Sequence, residues 1–254
     1  MVGTLYVVAT PIGNLEDMTL RALRILQEVE LIATEDTRRT RVLLDHYHIA
    51  KPLTSLYDHN ESQKAPTLVR RIQEGANIAL VSEAGTPLIS DPGYRLVRSA
   101  IEQGICVVPI PGATAVATAL MAAGLPTDRF AFEGFLPKKT GKRRKRLQEL
   151  RDDPRTLVFY ESPRRLGPLL GEMHALWGDR RIVVARELTK KFETILRGLI
   201  TEVQTRLGAR PPLGEVTLIV EGAASAARSS ASDDPDDPTD PDRYGRSGGA
   251  ENDR

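Results

Sequence analysis

Between Thr4 and about Leu125, short β-branched apolar runs alternate with segments of helical period, and this alternation restricts the fold more than any other feature. The runs Leu5–Ala9, Leu31–Thr34, Leu53–Leu56, Ile78–Ser82 and Ile105–Pro109 have strand length and strand composition. The segments Thr19–Glu28, Arg38–Tyr47, Ala65–Glu74, Tyr94–Gln103 and Ala113–Ala123 read as helices. In the first of these, Leu20, Leu23, Ile25 and Leu26 form one apolar stripe. Strand, helix, strand at this spacing requires crossover connections, so an α/β fold with a mostly parallel sheet covered on both faces is expected.

Gly124-Leu125-Pro126 interrupts the pattern and reads as a junction. Beyond it, Phe130–Glu133, Thr156–Glu161, Ile182–Glu187, Glu193–Gly198 and Glu215–Glu221 read as strands, with helices over Lys142–Arg151, Arg164–Leu176 and Ile200–Leu207. The third and fourth of these strands are close enough in sequence for a hairpin through Leu188–Phe192, so the second sheet is expected to be mixed. The expected division is an N-terminal α/β domain over residues 1–124 and a C-terminal α/β domain over 125–222. Residues 223–254, rich in Ala, Ser, Asp, Pro and Gly, cannot bury enough apolar surface to offset chain entropy and are expected to be disordered.

Charge adds one asymmetry. Residues 223–254 hold eight acidic side chains and four arginines, which leaves 26 acidic against 31 basic residues over 1–222, about +5. A body with that balance permits a polyanionic partner. The single cysteine, Cys106, lies in the apolar run Ile105-Cys106-Val107-Val108 and is expected as a buried core thiol. One cysteine excludes an intrachain disulfide and points to a reduced, cytoplasmic compartment. No run approaches the roughly 18 apolar residues of a membrane helix, and Met1-Val2-Gly3 carries no basic leader, so no membrane association is expected.

In an open parallel sheet, ligands bind beyond the C-terminal strand ends, where strand order reverses. Those ends carry Thr10-Pro11-Ile12-Gly13-Asn14-Leu15, Glu35-Asp36-Thr37, the segment from Ser82 through Glu83-Ala84-Gly85-Thr86-Pro87-Leu88 to Gly93, and Pro111-Gly112-Ala113-Thr114-Ala115. Glycines there let the backbone approach a ligand, and the free N–H groups where a helix opens at Thr114 donate to ligand oxygen atoms. No Gly-x-x-x-x-Gly-Lys-Ser/Thr loop is present, nor a Gly-x-Gly-x-x-Gly after the first strand, which argues against P-loop and ordinary dinucleotide chemistry. His46, His48, His59 and His174 have no partners at metal-ligand spacing, and no metal is expected.

These turns resemble those of the tetrapyrrole-methylase-like superfamily and, within it, the branch of ribosomal RNA small-subunit methyltransferases. The resemblance runs through Thr10–Leu15, Glu35-Asp36-Thr37-Arg38, Ala84–Gly93, Phe132-Glu133-Gly134-Phe135-Leu136-Pro137, Phe159-Tyr160-Glu161-Ser162-Pro163-Arg164-Arg165 and Ala185-Arg186-Glu187-Leu188-Thr189-Lys190-Lys191, over about residues 3–222. It implies a two-domain fold with S-adenosylmethionine in the cleft between the domains, a homodimer, and methylation of a cytidine ribose 2′-hydroxyl in the decoding region of 16S rRNA within the small ribosomal subunit. It further implies cofactor contacts from Pro11, Glu83, Gly85, Thr86, Pro87, Thr114, Ala115, Tyr160 and Ala185. Two departures stand out: Glu83 occupies a position where the family pattern has Asp, and the acidic tail replaces a short helical extension.

Methyl transfer from a sulfonium is an in-line displacement, so such a site must align donor and acceptor, and a ribose hydroxyl also needs a base. A carboxylate or a lysine of lowered pKa would serve. Glu35, Asp36, Glu187 and Lys190 are in reach of strand ends or the hairpin; Asp36 and Lys190 lead, with Asp36 equally suited to cap the following helix. For RNA, Lys138, Lys139, Lys142, Arg143, Arg144, Lys145 and Arg146 place seven cations in nine residues, with no acidic residue before Glu149. Their mutual repulsion would be relieved by phosphates. With one Trp, five Phe and six Tyr, an extended stacking platform is not expected. Two alternatives share the fold: a methyltransferase for a small tetrapyrrole, which needs no phosphate track, and a non-catalytic RNA-binding ribosome-assembly protein, whose cofactor loops would be damaged. Gly85, Thr86, Pro87 and Gly112 are intact here.

Overall fold

The computed structural model describes residues 1–208 and 214–223. The disorder expected of the tail therefore falls, apart from Ala223, outside the described residues. In the first half, β1 (Thr4–Val8), α1 (Leu20–Glu28), β2 (Leu31–Thr34), α2 (Thr37–His46), β3 (Leu53–Ser55), α3 (Glu61–Gln73), β4 (Ile78–Val81), α4 (Tyr94–Glu102), β5 (Cys106–Ile110) and α5 (Ala115–Ala123) follow one another, with a 3₁₀ turn at Leu15–Asp17. The second half contains β6 (Phe130–Phe135), α6 (Thr140–Glu149), β7 (Thr156–Glu161), α7 (Pro163–Trp177), β8 (Arg181–Arg186), β9 (Thr194–Leu199), α8 (Ile200–Leu207) and β10 (Val216–Val220).

The fold is α/β with two five-stranded sheets. The first has the order β3-β2-β4-β1-β5 and every pairing in it is parallel. Its inner strands β2 and β4 are buried at every residue, which is why Leu31–Thr34 and Ile78–Val81 show no polar alternation. Leu5, Leu31, Ala33, Ile78 and Leu80 pack on α3 and α4; Val8, Ile32, Ala79 and Val81 face α1 and α2.

The second sheet, β6-β7-β10-β8-β9, pairs β6 with β7 in parallel and is otherwise antiparallel. Here the period of two is plain. Leu157, Phe159, Ile182, Val184, Leu218 and Val220 pack on α6, α7 and α8, while Val158, Val183, Ala185 and Ile219 face α5. Helix α5 thus belongs to the first half by sequence but is buried against the second sheet, and this packing joins the halves.

Helix α3 begins at Glu61, four residues before the start that periodicity predicts. The Glu61 carboxylate is buried and accepts from the Arg95 and Leu96 backbone N–H groups at 2.7 and 3.1 Å. It caps α4, whose own preceding residue, Gly93, has no side chain to do so. Cys106 corrects another expectation. It is exposed, because β5 is an edge strand and its first residue lies beyond the helix cover. No helix among the described residues is long and apolar enough to cross a membrane.

Candidate active site

Strands β1 and β4 are neighbours in the sheet, yet the helices after them lie on opposite faces, so a crevice opens at their C-terminal ends. The loops that leave these ends are tied together there. Thr10 and Gly85 exchange backbone hydrogen bonds of 2.8 and 3.0 Å, and the Thr86 hydroxyl donates to the Ala113 carbonyl at 3.1 Å. Gly85 sits at φ +89°, a conformation costly to any residue with a Cβ, and an added Cβ would lie 3.1 Å from Ile12 Cγ2. Gly85→Ala is therefore expected to destabilise the fold by about 1–2 kcal/mol and to weaken binding in the crevice. Chemical denaturation and calorimetry with S-adenosylhomocysteine check the two effects.

The crevice continues across the second sheet as a cavity of about 370 Å³, a size suited to a nucleoside-like ligand. Glu83, Gly85, Thr86, Thr114, Ala115, Tyr160 and Ala185 line it, so seven of the nine expected cofactor contacts come together. Pro11 and Pro87 do not line it; both are buried behind its wall. The floor includes a residue that the sequence did not single out. Thr217 of β10 pairs in register with Tyr160 of β7 on one side and Ala185 of β8 on the other, giving a row of three across the sheet.

Neither leading base candidate lines this cavity. Asp36 is the N-cap of α2 and accepts from the Arg38 N–H at 2.8 Å. Lys190 donates to Glu215 at 3.0 Å and Glu187 at 3.1 Å. Burial acts to lower its pKa, but those two carboxylates outweigh burial and leave it raised. The ammonium is held charged, against the lowered pKa that a lysine base requires. Glu187 is held low, first by the Glu215 backbone N–H.

Among the described residues, five carboxylates do line the cavity: Glu35 after β2, Glu83 and Asp91 after β4, Glu161 at the end of β7 and Glu215 before β10. Glu83 pairs with Arg39 at 2.7 Å. Glu35 is raised above the ordinary carboxylate value by burial and by the charges of Glu83 and Asp58. Asp91 is pushed up to about 6 by burial and then by Glu35, with Glu83 and Asp58 adding to this. Across the cavity, burial and the Asp91 charge raise Tyr160. Among these groups Asp91 is the carboxylate best placed to exchange a proton near neutral pH. Sequence offered only one signal for it, its place in the segment Ala84–Gly93.

The cation run forms most of α6, but it is not uniformly available. Arg143 is buried and makes a two-pronged contact with Glu172 at 2.8 and 2.6 Å. Arg146 grips Glu133 at 2.7 Å and Glu149 at 2.9 Å. These two hold the fold, which corrects their reading as free phosphate ligands. Lys138, Lys139, Lys142, Arg144 and Lys145 remain exposed. Arg143→Ala should cost about 3 kcal/mol in chemical denaturation, because it strands Glu172 without its partner.

Residues 4–204 match the family of tetrapyrrole (corrin/porphyrin) methylases. The chain is 53% identical over 225 residues to a Pasteurella multocida protein named ribosomal RNA small subunit methyltransferase I, covering 87% of this chain and 80% of that one. It is 56% identical over 223 residues to the protein of the same name from Escherichia coli O157:H7, covering 87% and 78%. Among solved structures, uroporphyrin-III C-methyltransferase from Thermus thermophilus complexed with S-adenosylhomocysteine superposes with a TM-score of 0.61 at 20% identity. That match covers 88% of this chain and 99% of that one, and it is a likeness of fold.

Proposed function

Because the chain belongs to the tetrapyrrole (corrin/porphyrin) methylases, in the branch of bacterial proteins named ribosomal RNA small subunit methyltransferase I, we propose that it methylates the ribose 2′-hydroxyl of a cytidine in the decoding region of 16S rRNA, with S-adenosylmethionine as donor. One observation carries this reading: an acid-walled cavity whose rim, at Phe135, continues within three residues into the exposed cations that begin at Lys138.

The cavity suits the donor chemically. Gly85 brings backbone close, and at the start of α5 the Thr114 side chain makes no cap of its own and the Val116 N–H meets the Tyr160 hydroxyl, so this helix end reaches the cavity. Tyr160, Thr217 and Ala185 offer a flat, mostly apolar floor for a base, and Glu35, Glu83 and Asp91 place negative charge where a cation would rest. When bound, S-adenosylmethionine supplies a methyl group activated by its positive sulfur. Asp91 takes the proton of the attacking hydroxyl onto its carboxylate. Glu83 is engaged by Arg39 and Glu35 is more exposed, so both shape the potential around Asp91. The exposed cations of α6 bind phosphates and set the register of the RNA.

The protein acts in the cytoplasm on the small ribosomal subunit and works as a homodimer. Exposed Met121 and Leu199 lie near the contact in which Arg197 donates to the Ala122 carbonyl, and a second copy would cover them. Tritiated S-adenosylmethionine, offered with undermethylated small subunits and separately with a porphyrinogen, tests the substrate class. Label on RNA alone is expected; label on the macrocycle alone would contradict the proposal.

A further inference from the structure

The rim of the cavity holds an aromatic ring that the alternation of its strand should have pointed elsewhere. Phe132 and Phe135 are three residues apart on β6, so in a regular strand they would face opposite ways. The pairing with β7 slips between them: Phe132 opposes Val158, Gly134 opposes Phe159, and Phe135 opposes Tyr160. Glu133 is the extra residue, and Gly134 takes φ +60° to complete the bulge. Both phenylalanine rings consequently meet Tyr160, at centroid distances of 4.8 and 5.6 Å. Phe135 is still 57% exposed.

The bulge is held on two sides. Arg146 of α6 donates to the Glu133 carboxylate at 3.1 and 2.7 Å. On the other side Gly134 abuts the loop after β4, where a Cβ on Gly134 would lie 3.2 Å from Ser90 Oγ. That loop is itself constrained, with Leu88 at φ +71° and Ser90 at φ +66°, conformations that residues with a Cβ rarely adopt. Between them it presents Ile89, 39% exposed, to the same cavity, followed by Asp91. Two apolar side chains are thus kept in water on rigid supports at the mouth of the cavity.

We propose that Phe135 and Ile89 form a slot that grips the nucleobase of the target nucleotide once it leaves its stack, so that its ribose faces Asp91. The inference rests on the RNA reading above and adds the recognition element that the cations lack, since phosphate contacts carry no base information. A flat, uncharged, aromatic occupant fits an exposed ring paired with an aliphatic wall. Phe135 is a positioning residue, and it leaves the methyl transfer itself to other groups.

The test is steady-state methylation of small ribosomal subunits by wild type, Phe135→Ala, Phe135→Leu and Phe135→Trp, with S-adenosylhomocysteine affinity measured by calorimetry. Phe135→Ala should raise KM for the subunits roughly 5- to 150-fold, the usual loss when one stacked base is released, with cofactor affinity unchanged. Phe135→Trp should restore most of the loss and Phe135→Leu little of it. An unchanged KM in Phe135→Ala, or equal rescue by Leu and Trp, overturns the slot while leaving the RNA reading intact. A parallel loss of S-adenosylhomocysteine binding would assign the ring to the cofactor instead. A wild-type enzyme that labels no RNA overturns the slot and the function together.

Discussion

Asp91→Asn should lower kcat for methyl transfer by roughly 10²- to 10⁴-fold, the contribution of a positioned general base, while the protein still binds S-adenosylhomocysteine. The wild-type pH profile should carry the signature of the same carboxylate. A base works only when ionised, and Asp91 is pushed up to about 6 by burial and by Glu35. The value of kcat/KM for subunits should therefore rise with pH through about 6, flatten above it, and fall away in acid. Glu35, Glu83 and Asp58 add negative charge around Asp91, Arg39 pairs with Glu83, and Tyr160 faces it from β7, so salt that screens the carboxylates should move the limb toward lower pH. In Asp91→Asn the limb should be absent. If it persists, Glu35 or Glu161, the other raised carboxylates of the cavity, becomes the base.

The same shift separates loss of function from loss of fold. A carboxylate whose folded-state pKa is raised destabilises the folded protein when ionised. That penalty is present above about pH 6 and disappears as pH falls through the unfolded value near 4. At pH 7.5 the asparagine variant should be at least as stable as wild type in a thermal melt. A stability paid for by function at this position is what a working site predicts.

Removing the five exposed cations of the α6 region together should produce the second large effect. Lys138, Lys139, Lys142, Arg144 and Lys145 changed to Ala should weaken binding to small subunits by about 10³-fold near physiological salt. The slope of log affinity against log salt should become shallower by about 4, near one unit for each lost phosphate contact. Filter binding over a salt series measures both. Arg143→Ala and Arg146→Ala should leave that slope nearly unchanged, because their guanidinium groups are already committed to Glu172 and to Glu133 and Glu149. A change of slope near one unit in Arg143→Ala and in Arg146→Ala would return Arg143 and Arg146 to the RNA track.

Hydrophobic period made most of the fold readable. Leu31–Thr34 and Thr156–Glu161 have the bounds that composition alone suggests, and the hairpin between β8 and β9 follows from their closeness in sequence. What escaped depended on contacts between distant residues. The early start of α3 reflects Glu61 capping α4 more than 30 residues later. The exposure of Cys106 follows from β5 being an edge strand, and strand order is not written in any one segment.

The site divides along the same line. Turn chemistry pointed to the strand-end loops, because glycine and small hydroxyl residues there carry meaning locally, and the resemblance then singled out Gly85, Thr86, Thr114 and Ala115 within them. Asp91 did not stand out, since its raised pKa arises from burial and then from carboxylates on loops after three different strands. Thr217 looked like any strand residue until its register placed it between Tyr160 and Ala185. A local count of charges also overstated the RNA track, because Glu172, the partner of Arg143, lies 29 residues away.

The most direct test of the central claim is the position and chemistry of the methyl group. Small subunits lacking the modification are treated with wild type or Asp91→Asn and S-adenosylmethionine, and their 16S rRNA is then hydrolysed in alkali and mapped. A 2′-O-methyl group blocks cleavage at its own phosphodiester, so the account predicts one new resistant bond, 3′ to a cytidine of the decoding region, with wild type and almost none with the variant. Methyl label that enters the RNA without creating a resistant bond, or a resistant bond made equally well by Asp91→Asn, would contradict it.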